Sequence, residues 1–154
     1  MLTITMRRAT PDDVAAVACH VHALLDELSA GQAPTLDAVT ATARNVLASD
    51  RVIALLAEQD GTAIGLLTLN ECMAIYAGGL FGEICELHVS AAQRSRGIAS
   101  RLLSAALDEA RARGWSRLEV GAPAQPEWSR TLSFYRTNGF VETGPRLRRT
   151  VDGS

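Results

Sequence analysis

Apolar and polar residues alternate with a period of two in parts of the chain, which predicts β-strands. Residues 2–7 show this alternation at the start of the sequence. Residues 51–58 instead contain an unbroken apolar run, which is typical of a strand covered on both faces. The Gln-Asp-Gly turn at residues 59–61 predicts a hairpin, so residues 62–70 are expected to return antiparallel. Further strands are predicted at residues 82–90, at 115–120 and from 140 onward.

Apolar residues three and four positions apart predict helices in the remaining segments. Four such segments follow one another along the chain: residues 10–31, 34–50, 98–114 and 128–138. The first begins at Thr10, a suitable N-cap, followed by Pro11 at the first helical position. Glycines that favour helix ends stand at Gly31, Gly114 and Gly139. Residues 71–81, which include two glycines, are predicted to form a loop.

The order of these elements predicts an α/β (α+β) fold with a mixed, mostly antiparallel central sheet of six to seven strands and about four helices. The hairpin in the first half requires antiparallel pairing. The strand, helix, strand unit from residue 82 to 120 requires a right-handed crossover and parallel pairing. A chain of 154 residues, 47% of them hydrophobic, suits one well-filled core. We therefore expect residues 1–154 to form a single domain.

Charge and composition exclude several classes of function. The formal net charge is −2, so nothing in the composition attracts a nucleic acid or an anionic membrane. All 15 basic residues are Arg. Because the chain has no Lys, it can support neither Schiff-base chemistry nor a phosphate loop that depends on a lysine. Any site for an anion must therefore be local and must use arginine or backbone N–H groups.

Cysteine usage and the N-terminal sequence indicate a cytoplasmic protein. The cysteines, Cys19, Cys72 and Cys85, are an odd number and lack the spacing of a zinc site, so we expect no metal centre. No stretch of signal-peptide or membrane-spanning length occurs in the first residues. We expect a cytoplasmic protein that does not insert in a membrane.

The segment from residue 93 to 100 is the most informative loop, because it joins a predicted strand to a predicted amphipathic helix. The first N–H groups of a helix have no partner, and the helix dipole favours an anion there. Gly97 and Ala99 are small enough for a diphosphate to approach the backbone. Arg94 and Arg96 add guanidinium groups that suit phosphate oxygens. A solvated surface turn is the alternative interpretation of the same pattern.

Two motifs in this order resemble those of the GNAT superfamily of acetyltransferases. Arg94, Gly97 and Ala99 match the family's central pattern of Gln or Arg, two residues, Gly, one residue, and Gly or Ala. Residues 134–140, Phe-Tyr-Arg-Thr-Asn-Gly-Phe, resemble its second hallmark, an aromatic-Tyr pair before Gly-Phe. The order of elements from residue 3 to 141 also follows the family, so the resemblance covers most of the chain.

The resemblance implies acetyl-CoA as co-substrate and a GNAT-like sheet in which two parallel strands splay apart to hold its pantetheine arm. It places main-chain contacts for that arm on the strand before the loop, at Leu87, His88 and Val89. It places the diphosphate on the turn that follows, at Arg94, Ser95, Arg96, Gly97, Ile98, Ala99 and Ser100.

The resemblance also implies the catalytic groups for acetyl transfer to an amine. Tyr135 occupies the position of the family's general acid, which protonates the departing thiolate. Glu83 is the candidate base by its spacing from the loop glycine, and Glu86 is its rival. In an ideal strand the two carboxylates face opposite sides, but a bulge, common in the family, would change that parity. His88 shares a face with Glu86 as a possible relay, and ordered water is the other route for the proton.

One position departs from the family pattern. Many relatives have Asn seven residues before the Tyr, and here that residue is Trp128, so the role of the Asn is not transferred. We interpret Trp128 as a packing residue.

The acceptor is expected to be a primary amine of a small molecule or a peptide, and a homodimer is possible. Candidate residues for the acceptor pocket are Asp26, Glu27, Glu71, Tyr76 and Phe81. His20 and His22 are interpreted as structural. The alternative function is a catalytically silent CoA-binding sensor or assembly module, against which the presence of Tyr135 argues.

Overall fold

A computed structural model describes residues 3–152. In chain order the elements are β1 (Ile4–Arg8), α1 (Val14–Leu28), α2 (Leu36–Leu47), β2 (Val52–Gln59), β3 (Thr62–Ala74), β4 (Gly79–Val89), α3 (Ile98–Arg113), β5 (Leu118–Val120) and α4 (Ser129–Thr137). Short 3-10 turns precede α1, at Pro11–Asp13, and α3, at Ala91–Gln93. The chain divides into two compact units, Met1–Val120 and Gly121–Ser154. The first unit contains all five strands, and the second contains α4.

The strands form one sheet in the order β1-β2-β3-β4-β5. The neighbours from β1 to β4 are antiparallel, while β5 lies parallel to β4 across the connection made by α3. The hairpin between β2 and β3 forms where the Gln-Asp-Gly turn predicts it. The predicted class, a mixed and mostly antiparallel sheet with four helices, is confirmed.

Helices of the first unit cover both faces of its sheet. On one face, Val17 of α1 packs in a buried cluster with Ala54, Leu56 and Leu66. On the other face, the backbone at Gly65 is approached by Ile98 and Leu102 of α3. Two covered faces explain why β2 has an unbroken apolar run rather than an alternating one. Within residues 3–152, every helix falls short of the length and hydropathy needed to span a lipid bilayer.

The start of α1 is fixed to the sheet by a shared guanidinium. Arg7 of β1 donates to both carboxylate oxygens of Asp13, at 2.7 and 2.8 Å, and to Glu58 of β2 at 2.6 Å. Hydrogen bonding to Arg7 holds the pKa of the Asp13 carboxyl well below its ordinary value. The turn before α1 is therefore tied to the first two strands, which sets where α1 crosses the sheet.

The strand count of six to seven was too high, because the sheet has five strands. No strand forms at residues 140–150, which are exposed for most of their length and interrupted by Gly144-Pro145. The strand predicted at residues 115–120 is reduced to Leu118–Val120. Leu2, assigned to the first strand from its pattern, lies outside the described residues.

The prediction of a loop at residues 71–81 is wrong, because β3 and β4 extend through most of this segment and form a hairpin. Glu71 pairs with Gly82 and Ala74 pairs with Gly79. The tip of this hairpin is exposed to solvent, and Ile75 is fully exposed. Because neither face of the tip is buried, apolar and polar residues do not alternate there. A two-sided exposed hairpin lacks the one-face pattern from which a strand is recognised.

We expect Gly82→Ala to lower the free energy of unfolding by about 1–3 kcal/mol, because the sheet packs directly on this glycine. An added Cβ would overlap the six-membered ring of Trp115 and lie 2.8 Å from a methyl carbon of Leu118. Gly65→Ala is the matched control, since there the new methyl meets the flexible ends of Leu102 and Ile98 at 3.1 and 3.2 Å. Urea denaturation of both variants measures the difference. An equal loss in the two would contradict the packing at Gly82.

Candidate active site

One extra residue in β4 determines how the side chains of this strand are presented. Thr68 of β3 pairs with Glu86, and the next residue, Leu69, pairs with Ile84. Cys85 is therefore left over in the ladder, which is the definition of a β-bulge. The alternation of faces along β4 is shifted at this point.

The bulge places both candidate bases on the same face of the sheet. The β3 partners of Glu83, Glu86 and His88 are Asn70, Thr68 and Leu66, respectively. These partners stand at alternate positions of β3 and so share a face, and residues directly opposite in a ladder share it too. Because Leu66 packs with Val17, this is the face that α1 covers. An unbroken strand would have separated Glu83 from Glu86.

The two carboxylates have different surroundings on that face. Glu86 is held by Thr68, whose hydroxyl donates to Glu86 Oε1 at 2.6 Å and accepts from the Glu86 N–H at 3.0 Å. Glu83 lies next to β5, where its register partner is another carboxylate, Glu119. Glu119 accepts from the Tyr76 hydroxyl at 3.2 Å. Both candidate bases are only partly buried, so an acceptor in solution can reach this face.

The outer edge of β4 becomes open beyond the bulge. Parallel pairing with β5 covers only Gly82, Glu83 and Ile84. From Cys85 to Val89, no strand within residues 3–152 pairs with β4 on the side away from β3. The segment that contains Leu87, His88 and Val89 therefore offers main-chain groups along a free edge, which an extended ligand can use like an added strand.

The open edge leads directly to an uncapped helix beginning. Gly97 is the N-cap of α3, in the left-handed region with φ of 76°, and no side chain caps the helix. Within residues 3–152, no atom other than its chain neighbours lies within 4 Å of the position that a Cβ of Gly97 would occupy. The first N–H groups of α3, at Ile98, Ala99 and Ser100, have no partner within the helix and are not capped by a side chain of the described residues, as an anion site requires.

The arginines of this turn are held by neighbouring groups. Arg94 donates through Nε to the Val89 carbonyl at 3.0 Å and through one terminal nitrogen to Glu27 of α1 at 2.5 Å. Arg96 donates to the side-chain oxygen of Gln93. Ser95 has a positive φ of 64°, which turns the chain between the two arginines. Both guanidinium groups therefore stay beside the helix beginning.

A buried pair of histidines lies behind Arg94, and sequence reasoning did not find it. The Nδ1 atoms of His20 and His88 are 2.8 Å apart, and both residues are only 7% exposed. The residues are 68 positions apart, so no local pattern relates them. The only signal in the sequence is that each stands on an element with an apolar buried face.

Two acidic candidates for the acceptor pocket have partners within the fold. Glu71 accepts from the indole N–H of Trp115 at 2.7 Å and lies 3.5 Å from Arg113. Glu27 pairs with Arg94. Since their charges are already compensated, neither is a ready site for a cationic acceptor.

The second unit contains the candidate general acid. Tyr135 is buried in α4, with the rings of Phe134 and Phe140 each 5.3 Å from its own. Burial raises the pKa of the Tyr135 phenol to about 12, so it keeps its proton throughout the neutral range. Trp128 stands at the N-cap of α4 without a side-chain cap, and its role in packing stays a prediction.

Comparison with known proteins agrees with this geometry. A sequence model described as the acetyltransferase (GNAT) family matches residues 21–140, which include the β4 strand, the Arg94–Gly97 turn and Tyr135. The chain belongs to the GNAT acetyltransferase family. The match extends through both compact units. As a member of this family, the protein is an acyl-CoA-dependent acetyltransferase.

Solved structures share the GNAT fold over almost the whole chain. An aminoglycoside acetyltransferase from an uncultured soil metagenomic sample is 25% identical, with a TM-score of 0.79 over 97% of this chain and 99% of that one. A ribosomal-protein-alanine N-acetyltransferase from Brucella melitensis biovar Abortus is 22% identical, with a TM-score of 0.75 over 96% of this chain and 99% of that one.

A third similar structure contains CoA. It is an aminoglycoside N-acetyltransferase in complex with CoA, 20% identical, with a TM-score of 0.75 over 97% of this chain and 95% of that one. No curated protein sequence matches the chain significantly. The residues present here fit a CoA co-substrate, because a free strand edge and an uncapped helix beginning with an open turn suit its amide arm and its diphosphate.

We expect Gly97→Val to weaken CoA binding by tenfold or more, because a β-branched residue is strained at this positive φ and its side chain enters the open space over the turn. Gly114→Val is the matched control, since Gly114 ends the same helix with φ of 72° and equally open surroundings. Isothermal titration with CoA measures affinity, and circular dichroism checks folding. If the two variants bind CoA with equal affinity, the turn at Gly97 is not part of the binding site.

Proposed function

We propose that the protein is an N-acetyltransferase that transfers an acetyl group from acetyl-CoA to a primary amine of a small molecule or a peptide, by direct attack of the amine, within one domain formed by residues 1–154. The observation that carries the proposal is the continuity of the open β4 edge with the uncapped beginning of α3. The similar structures named for aminoglycoside and protein-alanine acetylation support an amine as acceptor.

The chain's own residues hold the co-substrate through its amides and its phosphates. Leu87, His88 and Val89 offer main-chain groups to the pantetheine arm. The turn from Arg94 to Ser100 offers the N–H groups of α3 and the guanidinium groups to the diphosphate. When bound, acetyl-CoA supplies an acetyl group activated as a thioester.

Removal of a proton from the attacking amine is assigned to Glu83 or to a water molecule that it orders. Glu83 is preferred over Glu86 by its spacing from Gly97, which is the spacing that the family resemblance implies for the base. Both residues share the face that α1 covers, so Glu86 can hold a water for its neighbour. A positioned base of this kind contributes roughly 10²–10⁴-fold to a rate.

Protonation of the departing thiolate is assigned to Tyr135. A phenol with a pKa of about 12 remains protonated at neutral pH and so has the proton to give. The tyrosine is held among aromatic rings, which limits the directions its hydroxyl can take.

The test of the function is release of the CoA thiol on incubation of the protein with acetyl-CoA and a panel of amines. The panel contains aminoglycosides, polyamines, amino acids and peptides with free N-termini, and mass spectrometry identifies the acetylated product. Turnover on at least one amine supports the proposal. Tight binding of CoA with no turnover on any amine would instead indicate a CoA-binding sensor.

We expect Tyr135→Phe to lower kcat by about ten- to a thousandfold with little change in the Kd for CoA, since the phenol acts in the reaction and not in binding. Steady-state kinetics and calorimetry on the same preparation separate the two effects. If kcat is unchanged, Tyr135 has no part in the reaction.

We expect Glu83→Gln to lower kcat about a hundredfold, because the amide keeps the shape of the carboxylate but accepts no proton. Glu86→Gln is the matched variant on the same face, with an expected loss of less than tenfold. Steady-state kinetics of both variants are the measurement. The reverse order would make Glu86 the base, and two small losses would assign the proton transfer to water alone.

A further inference from the structure

The histidine pair has a fixed direction of hydrogen bonding. His20 Nε2 lies 3.0 Å from the carbonyl oxygen of Ala63, which can only accept, so His20 carries its proton on Nε2. When both rings are neutral, His20 Nδ1 must then accept, and His88 Nδ1 must donate across the 2.8 Å contact. The remaining nitrogen, His88 Nε2, is left with a lone pair.

This lone pair faces the charged groups that hold the turn before α3. His88 Nε2 is 3.5 Å from a terminal nitrogen of Arg94 and 3.4 Å from Glu27 Oε1. The same Arg94 nitrogen lies 2.5 Å from Glu27 Oε1, and Arg94 Nε donates to the Val89 carbonyl. Nε and one terminal nitrogen of the guanidinium are therefore held by three groups, which are the Val89 carbonyl, Glu27 and His88. The other terminal nitrogen of the guanidinium donates to no described residue and is available to a ligand.

We propose that His20, His88 and Glu27 are positioning residues that fix the Arg94 guanidinium for the diphosphate of the co-substrate, and that they do so only while the histidine pair is neutral. This proposal rests on the proposed function, since it takes the turn from Arg94 to Ser100 as the diphosphate site. His88 acts through Arg94 and needs no contact between its side chain and the ligand.

A proton on the pair reverses the role of His88 Nε2. The nitrogen then carries an N–H, which donates to Glu27 and competes with Arg94 for the same carboxylate oxygen. The added positive charge also lies about 3.5 Å from the guanidinium and repels it. Arg94 then keeps only the Val89 carbonyl as an undisturbed partner, and affinity for a diphosphate falls.

The surroundings of His88 define the pH range of this change. The titratable or charged groups that face it are His20 and Glu27 of α1, Arg94 of the turn and Glu86 on its own strand, which is held by Thr68. Its β3 partner, Leu66, carries no charge. Burial, and then the neighbouring His20, lower the pKa of His88 below 6.5, although Glu27 opposes them. His88 is therefore neutral at pH 7 and takes up a proton only when the pH falls below the ordinary value of 6.5.

Affinity for dephospho-CoA tests the proposal, because this ligand keeps the diphosphate but lacks the 3′-phosphate, which itself titrates near pH 6. Calorimetry at pH 7.5 and 5.5 compares the wild type with His88→Phe and with His22→Phe, a matched change on α1 at a histidine that makes no hydrogen bond or ion pair within residues 3–152. We expect the wild type and His22→Phe to bind more weakly at pH 5.5, by less than about tenfold, because a pKa below 6.5 leaves part of the protein unprotonated at that pH. We expect His88→Phe to bind about tenfold more weakly than the wild type at pH 7.5 and to lose the pH dependence.

Action through Arg94 is tested by combining variants. In an Arg94→Gln background, His88→Phe and Glu27→Gln should each change the Kd by less than twofold, because the group they position is gone. An undiminished effect of His88→Phe in that background would overturn the proposal. So would a wild type whose affinity is the same at both pH values. His88→Asn replaces His88→Phe if the latter fails to fold.

Imidazole spectra of the unliganded wild type separate this proposal from the proposed function. Long-range ¹H–¹⁵N correlation at pH 7.5 should show the proton on Nδ1 of His88 and on Nε2 of His20. A proton on Nε2 of His88 would overturn the positioning role even if CoA binds. If the spectra show the expected protonation but neither the wild type nor any variant binds dephospho-CoA, the turn is not the diphosphate site. That result would overturn both the positioning role and the proposed function.

Discussion

The single extra residue at Cys85 is the constraint on which the arrangement of the first unit depends. Before it, β4 pairs with β3 and, from Gly82 to Ile84, with β5; after it, β3 is the only strand of residues 3–152 that pairs with β4. The same insertion shifts the alternation of side chains and brings Glu83, Glu86 and His88 to the face under α1. A bulge bends and twists its strand. The same extra residue can therefore end the pairing with β5 and change the face on which the following side chains lie. The open edge and the carboxylate face are two consequences of one insertion.

The open edge and the uncapped helix leave backbone groups that the fold itself does not satisfy. Buried N–H and C=O groups are nearly always paired, so groups left at a free edge must meet water or a ligand. A ligand with amides along its length and phosphates at one end satisfies the strand edge and the helix beginning together. This match of shape to unsatisfied groups is the physical reason for proposing that the strand edge and the turn hold CoA.

Much of the fold could be predicted from the sequence, because local patterns determine it. The Gln-Asp-Gly turn predicts the β2–β3 hairpin. The apolar face from Ile98 to Ala110 predicts α3, and a helical crossover implies that β4 and β5 are parallel. The face of Glu83 could not be derived, since parity along a strand depends on a bulge that only the partner strand defines. The His20–His88 contact was equally hidden, because tertiary packing alone joins a helix to a strand 68 residues away.

The electrostatics of the turn show why its backbone matters more than its arginines. The chain as a whole is slightly negative, so attraction for a diphosphate must be local. The positive charge of Arg94 is largely compensated by Glu27. Arg94 therefore contributes to the proposed site more through the orientation of its guanidinium than through net charge. Arg96 has a neutral partner, Gln93, and keeps its charge. The unpaired N–H groups of α3 add a positive potential that no side chain cancels, and they point where the turn at Gly97 leaves space. In the proposed site, backbone geometry therefore selects the diphosphate, and the paired guanidinium of Arg94 sets its orientation.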